Sequence, residues 1–301
     1  MTTVSVLMTV YNREAYLADA IQSVLNSTFT DFELIIVDDR SKDRSPEIAE
    51  SFRDRDSRIQ MHVNPQNLGD YGNRMRAASL ARGTYLKYVD SDDLIYPHGL
   101  EVMVRNMQSA PEAAVAIAHP LPEESLPYPI LLTPEQAYRR QFLQRGCMGC
   151  GPSGAIIRRD VFESLGGFRP EWGVLADLEF WQRVAALHPI LLQQPALTWW
   201  RVHEGQEYRI GDAEKVYLER GYKVAIHALM AEQCPLNSKD RQKALLRVNK
   251  KHARRIISVA LKSRQPALAL SAFRQSNLSS LDLVLSLFQS PVFSGKSKAN
   301  Q

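Results

Sequence analysis

No glycine precedes Gly69 in this chain of 301 residues. A dinucleotide-binding turn needs its glycine fingerprint directly after the first strand, and a P-loop needs glycines ahead of its lysine, so the N-terminal region holds neither. Any nucleotide bound there is held by other means. Cysteine is scarce as well: three residues, an odd number in a chain of this size, make no disulfide framework and point to a reducing compartment. Long apolar runs are missing, since nowhere do the roughly 18 apolar residues of a membrane span follow one another. The N-terminus MTTVSVLMTV has no basic stretch leading into a long apolar one, so no secretion signal is expected and a cytoplasmic location is the default.

What is present is an ordinary globular composition, 45% apolar and 23% charged, with ample length for a buried core. The net charge of +4, from 37 basic and 33 acidic residues, is unevenly spread. Residues 239–264 hold ten Lys or Arg and one acid, a local +9, which leaves −5 for the rest of the chain.

Strand and helix patterns alternate through the first 120 or so residues. Val4–Val10 and Phe32–Asp38 (FELIIVD) are β-rich runs, and residues 15–25 place apolar side chains at helical spacing. A helix over 73–81 and a strand over 84–89 follow. Alternation of this kind predicts a mainly parallel sheet with helices on both faces. Prolines thicken between Pro111 and Pro134, marking a looser connection. Beyond it the pattern predicts a helix near 135–144, strands at 154–158 and 197–203, and a helix at 178–187. After Gly205 only helices are expected, near 212–232, 239–262, 266–275 and 280–288.

The sharpest chemical feature is Asp90-Ser91-Asp92-Asp93, directly after the strand TYLKYV. Carboxylates at the C-terminal end of a parallel strand lie where open α/β sheets bind ligands, and oxygen donors there suit Mg²⁺ or Mn²⁺ carrying a diphosphate. An Asp-x-Asp triplet alone is weak evidence, and the chain has a decoy, Asp54-Arg55-Asp56, which follows no buried strand. A second acidic strand end is Asp38-Asp39. It reads either as a turn with local caps from Ser41 and Asp43, or as a carboxylate for a nucleobase imide or ribose hydroxyls.

Taken together, Ser5–Asn12 (SVLMTVYN), Ile35–Asp43 (IIVDDRSKD) and residues 67–93 resemble the family 2 glycosyltransferases, inverting enzymes of the GT-A fold that use nucleotide-sugars. Asn67, Gly69, Arg74, Ala81 and Gly83 match the family pattern in register, while Asn73, Met75 and Arg40 depart from it. The resemblance runs to about residue 205. It implies a GT-A catalytic domain at 1–205, with a nucleotide-binding half at 1–110 and an acceptor-binding half at 111–205, followed by a helical region at 206–301.

It further implies that Thr9, Tyr11, Asp39, Arg74 and Asp90 hold the nucleotide, and that Asp92 carries a Mn or Mg cation with His203, from Arg201-Val202-His203, as a second ligand. In VLADLEFWQRVA the catalytic base falls on Asp177, with Ala176 in place of the usual Glu and Arg183 matching the family Arg. Asp93, Arg201 and Gly151 are candidates for the acceptor or the diphosphate. Two plainer roles compete: Asp177 as the cap of its helix, and His203 as a packed side chain beside two tryptophans. Glu179 is a rival base, but two residues along a helix places it on nearly the opposite face from Asp177. Trp199-Trp200-Arg201 has the wrong order for the Gln-x-x-Arg-Trp of processive membrane synthases.

The expected activity is transfer of a sugar, with UDP as the family's commonest donor nucleotide, to a hydroxyl of a glycan or lipid-linked acceptor. The alternatives are a sugar-1-phosphate nucleotidyltransferase, which would want a glycine-rich loop after the first strand, and a non-catalytic binder of nucleotide-sugar or nucleic acid. The basic 239–264 segment lacks the interleaved aromatics of base stacking, so no nucleic-acid partner is expected. Its even choices are a solvated charged face or peripheral contact with an anionic membrane. Cys147 and Cys150 form a single CxxC with no second ligand pair, a poor zinc site, and read as part of a flexible loop.

Overall fold

A computed structural model of the chain describes residues 2–118, 126–204 and 213–288. The expected boundary at 205/206 and the start of the helix near 212 lie outside the described residues.

The first half builds β1 (Val4–Val10), α1 (Leu17–Leu25), β2 (Phe32–Asp38), α2 (Ser45–Arg53), β3 (Ile59–Val63), α3 (Asp70–Leu80), β4 (Tyr85–Tyr88), β5 (Leu94–Ile95) and α4 (Gly99–Ser109). Then come β6 (Val115–Ala118), β7 (Ile130–Leu132), α5 (Pro134–Leu143), β8 (Ala155–Arg158), α6 (Arg159–Ser164), α7 (Ala176–Leu187), β9 (Ile190–Gln193) and β10 (Thr198–Trp199). Four helices close the chain: α8 (Ala213–Met230), α9 (Ser238–Leu261), α10 (Pro266–Arg274) and α11 (Ser280–Phe288).

Eight strands form one sheet in the order β3-β2-β1-β4-β8-β6-β9-β7. The first four are parallel, as the alternation predicts. The other half is mixed: β8 runs antiparallel to both β4 and β6, and β7 antiparallel to β9. Because the side chains of a strand alternate faces, this sheet carries two cores. Leu7, Ile35, Val37, Leu86 and Tyr88 point to the side of α3, α5 and α7. Val6, Met8, Leu34 and Ile36 point to the side of α1 and α4. Every residue of β2 is buried, which explains its unbroken apolar run.

Four strands depart from the sequence expectation. The proline-rich stretch contains β6 and β7, and β9 follows α7 after only His188 and Pro189. The strand expected at 197–203 is two residues long, pairing Thr198 and Trp199 with Ile95 and Leu94, and 201–203 continue without regular structure. That short pairing matters, since it returns the chain to the segment just after β4. A third, smaller core joins α8, α9, α10 and α11 through Leu218, Ile256, Val259, Ala269 and Leu278. No helix among the described residues is long and apolar enough to cross a membrane.

Candidate active site

The chain leaves β1 toward β2 on one side, and β4 pairs with β1 on the other, so a crevice opens beyond the C-terminal ends of these strands. A cavity of 430 Å³ lies there, lined by Thr9, Tyr11, Arg13, Asp39, Asp70, Tyr71, Arg74, Asp90, Asp92, Val174, Trp200 and Tyr217 among others. Five of the residues expected to hold nucleotide (Thr9, Tyr11, Asp39, Arg74, Asp90) and Asp92 therefore share one wall-to-wall site.

Arg74 organises its centre. From α3 its Nε donates to Asp70 Oδ1 at 2.8 Å and its Nη1 to Asp90 Oδ1 at 2.7 Å. The guanidinium lies between the rings of Tyr71 and Tyr88, 5.6 and 5.7 Å from their centroids. Burial opposes its charge, but Asp70 and Asp90 outweigh that and raise its pKa further. For Asp90 burial likewise opposes ionisation; Arg74, a hydrogen bond from Ser153 and the nearby Lys87 overcome it and hold the carboxyl below its ordinary value.

Asp92 faces the other way. Its Oδ2 accepts from Arg13 Nε at 3.0 Å and lies 3.0 Å from His203 Nε2. The His203 ring packs 4.6 Å from that of Tyr16, so the packed role and the ligand role coexist at this position. Arg201 stacks over Tyr16 and Trp199 and donates from Nε to the Asp92 carbonyl at 2.9 Å. The decoy triplet has no such setting: Asp54 pairs with Arg53 and Asp56 with Arg58, in the exposed tail of α2.

Two expected ligand contacts take on a different geometry. Asp39 lines the cavity, but its carboxylate accepts from Asn64 Nδ2 at 2.8 Å, from Leu68 N at 2.8 Å and from Gly69 N at 2.9 Å. It thus shapes the 67–69 loop that leads into α3, where Gly69 has φ +75°. Asp93 is 3% exposed and does not line the cavity; its Oδ1 accepts from Arg201 N at 3.1 Å. Burial, then the neighbouring Asp90, push its pKa up to about 8. It pins the 201–203 segment to the site instead of facing a ligand.

Asp177 opens α7 at the edge of the cavity, three residues after Val174. Its Oδ1 accepts from Leu178 N at 2.6 Å, but the N-cap position falls on Leu175 with no side-chain cap bond, so Asp177 does not cap α7; its Oδ2 faces Gly151, whose Cβ, if it had one, would lie 4.0 Å away. Burial raises its pKa to about 7. Glu179 is spent elsewhere: it is 2% exposed and receives Arg183 Nε and Nη2, both at 2.9 Å, and Arg169 Nη1 at 3.2 Å. Arg183 also donates to the carbonyls of Leu165 and Gly167, so it ties α7 to the preceding loop.

Under the carboxylates, the 151–154 turn carries Ser153, whose Oγ accepts from Asp90 N at 3.1 Å and whose carbonyl accepts from the fully buried Lys87. Cys150 sits beside this turn, and Cys147 is buried. Burial raises both thiols to about 12, so neither is a reactive thiolate. No group of three or more His, Cys, Asp or Glu side chains suited to a metal occurs among the described residues.

Sequence reasoning missed Arg13, Asp70, Ser153 and Tyr217. Arg13 had a local signal, a cation three residues past β1. Tyr217 had none, because it comes from α8 and reaches the cavity only through the packing of the C-terminal helices.

A half-parallel, half-mixed sheet with carboxylates at the switch point is the architecture of a GT-A-type α/β protein. The sequence model described as glycosyl transferase family 2 matches residues 5–166, more than half of the chain. The chain belongs to glycosyl transferase family 2. It is 38% identical over 107 residues to an uncharacterized glycosyltransferase of Haemophilus influenzae, a match spanning 36% of this chain and 43% of that one. Less than half of that relative's length is thus matched. Residues 1–349 of Staphylococcus aureus TarS, in complex with UDP-GlcNAc, share the fold with a TM-score of 0.70 at 19% identity, over 90% of this chain and 79% of that one. Mannosyltransferase PcManGT from Pyrobaculum calidifontis, in complex with GDP-Man and Mn²⁺, does so with a TM-score of 0.62 at 14% identity, over 94% and 85%.

Proposed function

We propose that the protein is an inverting glycosyltransferase that moves a sugar from a nucleoside-diphosphate sugar, UDP-linked, to a hydroxyl of a glycan or lipid-linked acceptor. The observation that carries this reading is Asp90 and Asp92 lining one crevice, with a third, half-buried carboxyl, Asp177, close enough for Arg74 and Asp70 of that crevice to act on its charge and with a pKa near neutrality. Thr9, Tyr11 and Arg74 contact the nucleotide, Asp39 holds the loop against which it lies, and Asp90 serves the ribose side.

Asp177 accepts the proton of the acceptor hydroxyl while that oxygen forms its bond to the anomeric carbon from the face opposite the diphosphate. The carbon–oxygen bond to the diphosphate breaks, its electron pair leaves with the nucleoside diphosphate, and the configuration inverts in this single displacement. Arg13, at the mouth of the same crevice, offers a guanidinium to the charge that accumulates on the leaving group.

The chemistry of two side chains suits a divalent cation: Asp92 Oδ2 and His203 Nε2, a carboxylate and an imidazole, are hydrogen-bonded at 3.0 Å, a contact that a bound ion would replace. Asp92 and His203 would hold Mn²⁺ or Mg²⁺, which when bound neutralises diphosphate charge. Gly151, against Asp177, and Arg201, stacked beside Asp92, border the acceptor side. A lipid-linked acceptor would bring the chain to a membrane surface from the cytoplasmic side.

The test compares Asp92→Ala with Asp54→Ala in Mn²⁺-dependent binding of UDP- and GDP-sugars, followed by thermal shift, and in release of nucleoside diphosphate. Asp92→Ala is expected to abolish both and Asp54→Ala neither. Donor binding without any release, across a panel of acceptors, would favour a non-catalytic binder instead.

A further inference from the structure

The last helix of the described chain is turned the wrong way for a protein in water. On α11, Leu283 packs into the helical core and Ser286 is buried, so this side meets α9. The opposite side carries Leu281, Val284 and Leu285, spaced i, i+3, i+4, and these are 63%, 49% and 46% exposed. An amphipathic helix ordinarily buries such a stripe. Here the stripe faces out, and the helix is fixed in that orientation, since Arg254 Nε of α9 donates to the Ser286 carbonyl at 3.0 Å.

The supporting helix is cationic along its own outward side. In the C-terminal half of α9, His252, Ala253, Ile256 and Val259 are buried. Lys251, Arg255 and Lys262 recur at i, i+4 and i+11 on the other side, all exposed. Leu261, among them, is 74% exposed. Solvent-facing leucines beside a row of cations, in a segment of charge +9, are complementary to one kind of surface. The aliphatic groups enter an acyl boundary and the cations meet anionic headgroups.

We propose that the outward side of α11 and the basic stripe of α9 together form a docking face for an anionic lipid bilayer. The inference stands independently of the transferase reading, because it uses no residue of the cavity. A second copy of the chain fits less well: an isologous contact would set the +9 segment against itself. A nucleic acid would leave the leucines without a purpose, as aliphatic side chains offer bases no stacking platform. A helix of nine residues lies in the interface and does not span.

The experiment is co-sedimentation of the full chain with phosphatidylcholine vesicles, with and without phosphatidylglycerol, at low and high salt. Binding is expected only with phosphatidylglycerol and is expected to weaken with salt. Leu281→Asp with Leu285→Asp should lower vesicle affinity at least ~10-fold, the loss of two inserted side chains being well above 1.4 kcal/mol. Leu281→Ser with Leu285→Ser serves the same purpose should the aspartates unfold α11, which circular dichroism reports. Lys251→Glu with Lys262→Glu should also lower binding, whereas Arg55→Glu with Arg53→Glu, an equal charge change on the body, should not. Equal losses from both charge pairs, or binding unaffected by the leucine variants, would overturn the docking face. So would a concentration-dependent dimer in ultracentrifugation that the leucine variants abolish while vesicles bind nothing; this would assign the face to a second copy.

Discussion

A carboxyl that must take a proton near neutral pH has to be kept from ionising too readily, and Asp177 meets that condition through burial, which lifts it to about 7. The proposed base would act only when ionised, so kcat/KM should fall about tenfold per pH unit below 7 and level off above it, as a pH–rate profile would show. Asp177→Asn keeps the size and the hydrogen bond from Leu178 N but loses the acceptor for the proton. Its kcat should drop at least ~10²-fold with donor affinity nearly intact. If Glu179→Gln were the dead variant and Asp177→Asn active, the two carboxylates would have exchanged roles.

Asp93 follows a different logic. Its folded pKa of about 8 exceeds the ordinary carboxylate value, so the folded state holds this proton more tightly than the unfolded chain does. Its contribution to stability is complete at acid pH and is lost as pH climbs from about 4 through 8. Asp93→Asn, which still accepts from Arg201 N, should remove that decline, read from urea midpoints at about pH 5 and about pH 8.

The residues that were legible in the sequence are those whose chemistry and local context coincide. Asp90 and Asp92 sit where a β-run ends, and the helix period separates Asp177 from Glu179. Lys87 was illegible for the opposite reason: a lysine in a strand reads as exposed, and only the turn at Ser153 explains a fully buried one.

Among the elements, β1 to β4 and their helices announce themselves through periodicity, and β6 and β9 do not. β6 lies in an alanine-rich stretch of low β-propensity, and it becomes a strand because Ile117 and Val115 find partners on β8 and β9. β9, three apolar residues and Gln193 placed two residues after α7, is too short a run for its pattern to identify a strand. The tight entry to β4 supplies a prediction at this level. A Cβ on Gly83 would lie 2.5 Å from Ser5 N and 2.7 Å from Val4 C, both backbone atoms of the neighbouring strand. Gly83→Ala must therefore push β4 from β1, and should cost about 1–3 kcal/mol in thermal or denaturant unfolding while also weakening donor binding. Arg74→Ala acts on the α3–β4 junction, leaving two partly exposed carboxylates, Asp70 and Asp90, without their shared cation. A loss of about 1–3 kcal/mol is expected by the same measurement.

At the scale of the whole molecule, the C-terminal helices are fastened to the body and do not trail from it. Arg139 of α5 pairs with Asp240 of α9, Arg247 donates to the carbonyls of Leu143 and Gln144, and Tyr217 of α8 completes the cavity wall. The expectation of a helical region was readable from composition, but its share in the site was not, since nothing near Tyr217 in sequence refers to Thr9 or Asp92. Removing α8 to α11 should consequently impair donor binding as well as stability, and Tyr217→Ala should weaken donor binding alone. Calorimetric titration with UDP-sugar and Mn²⁺ would separate the two effects.

That long reach has a consequence for the birth of the protein. When the ribosome has released only β1 to β4, Asp90, Asp92 and Asp93 are assembled at a sheet edge, yet Ser153, Arg201 and His203 are still unmade. The donor has nothing complete to grip until the chain through Tyr217 has emerged. Early folding must then proceed without help from the ligand, and the nascent half-sheet must tolerate its cluster of acids with Arg13, Arg74 and Lys87 as counter-charges. The proposed nucleotide-sugar donor could therefore aid folding only after the segment that carries Tyr217 has emerged.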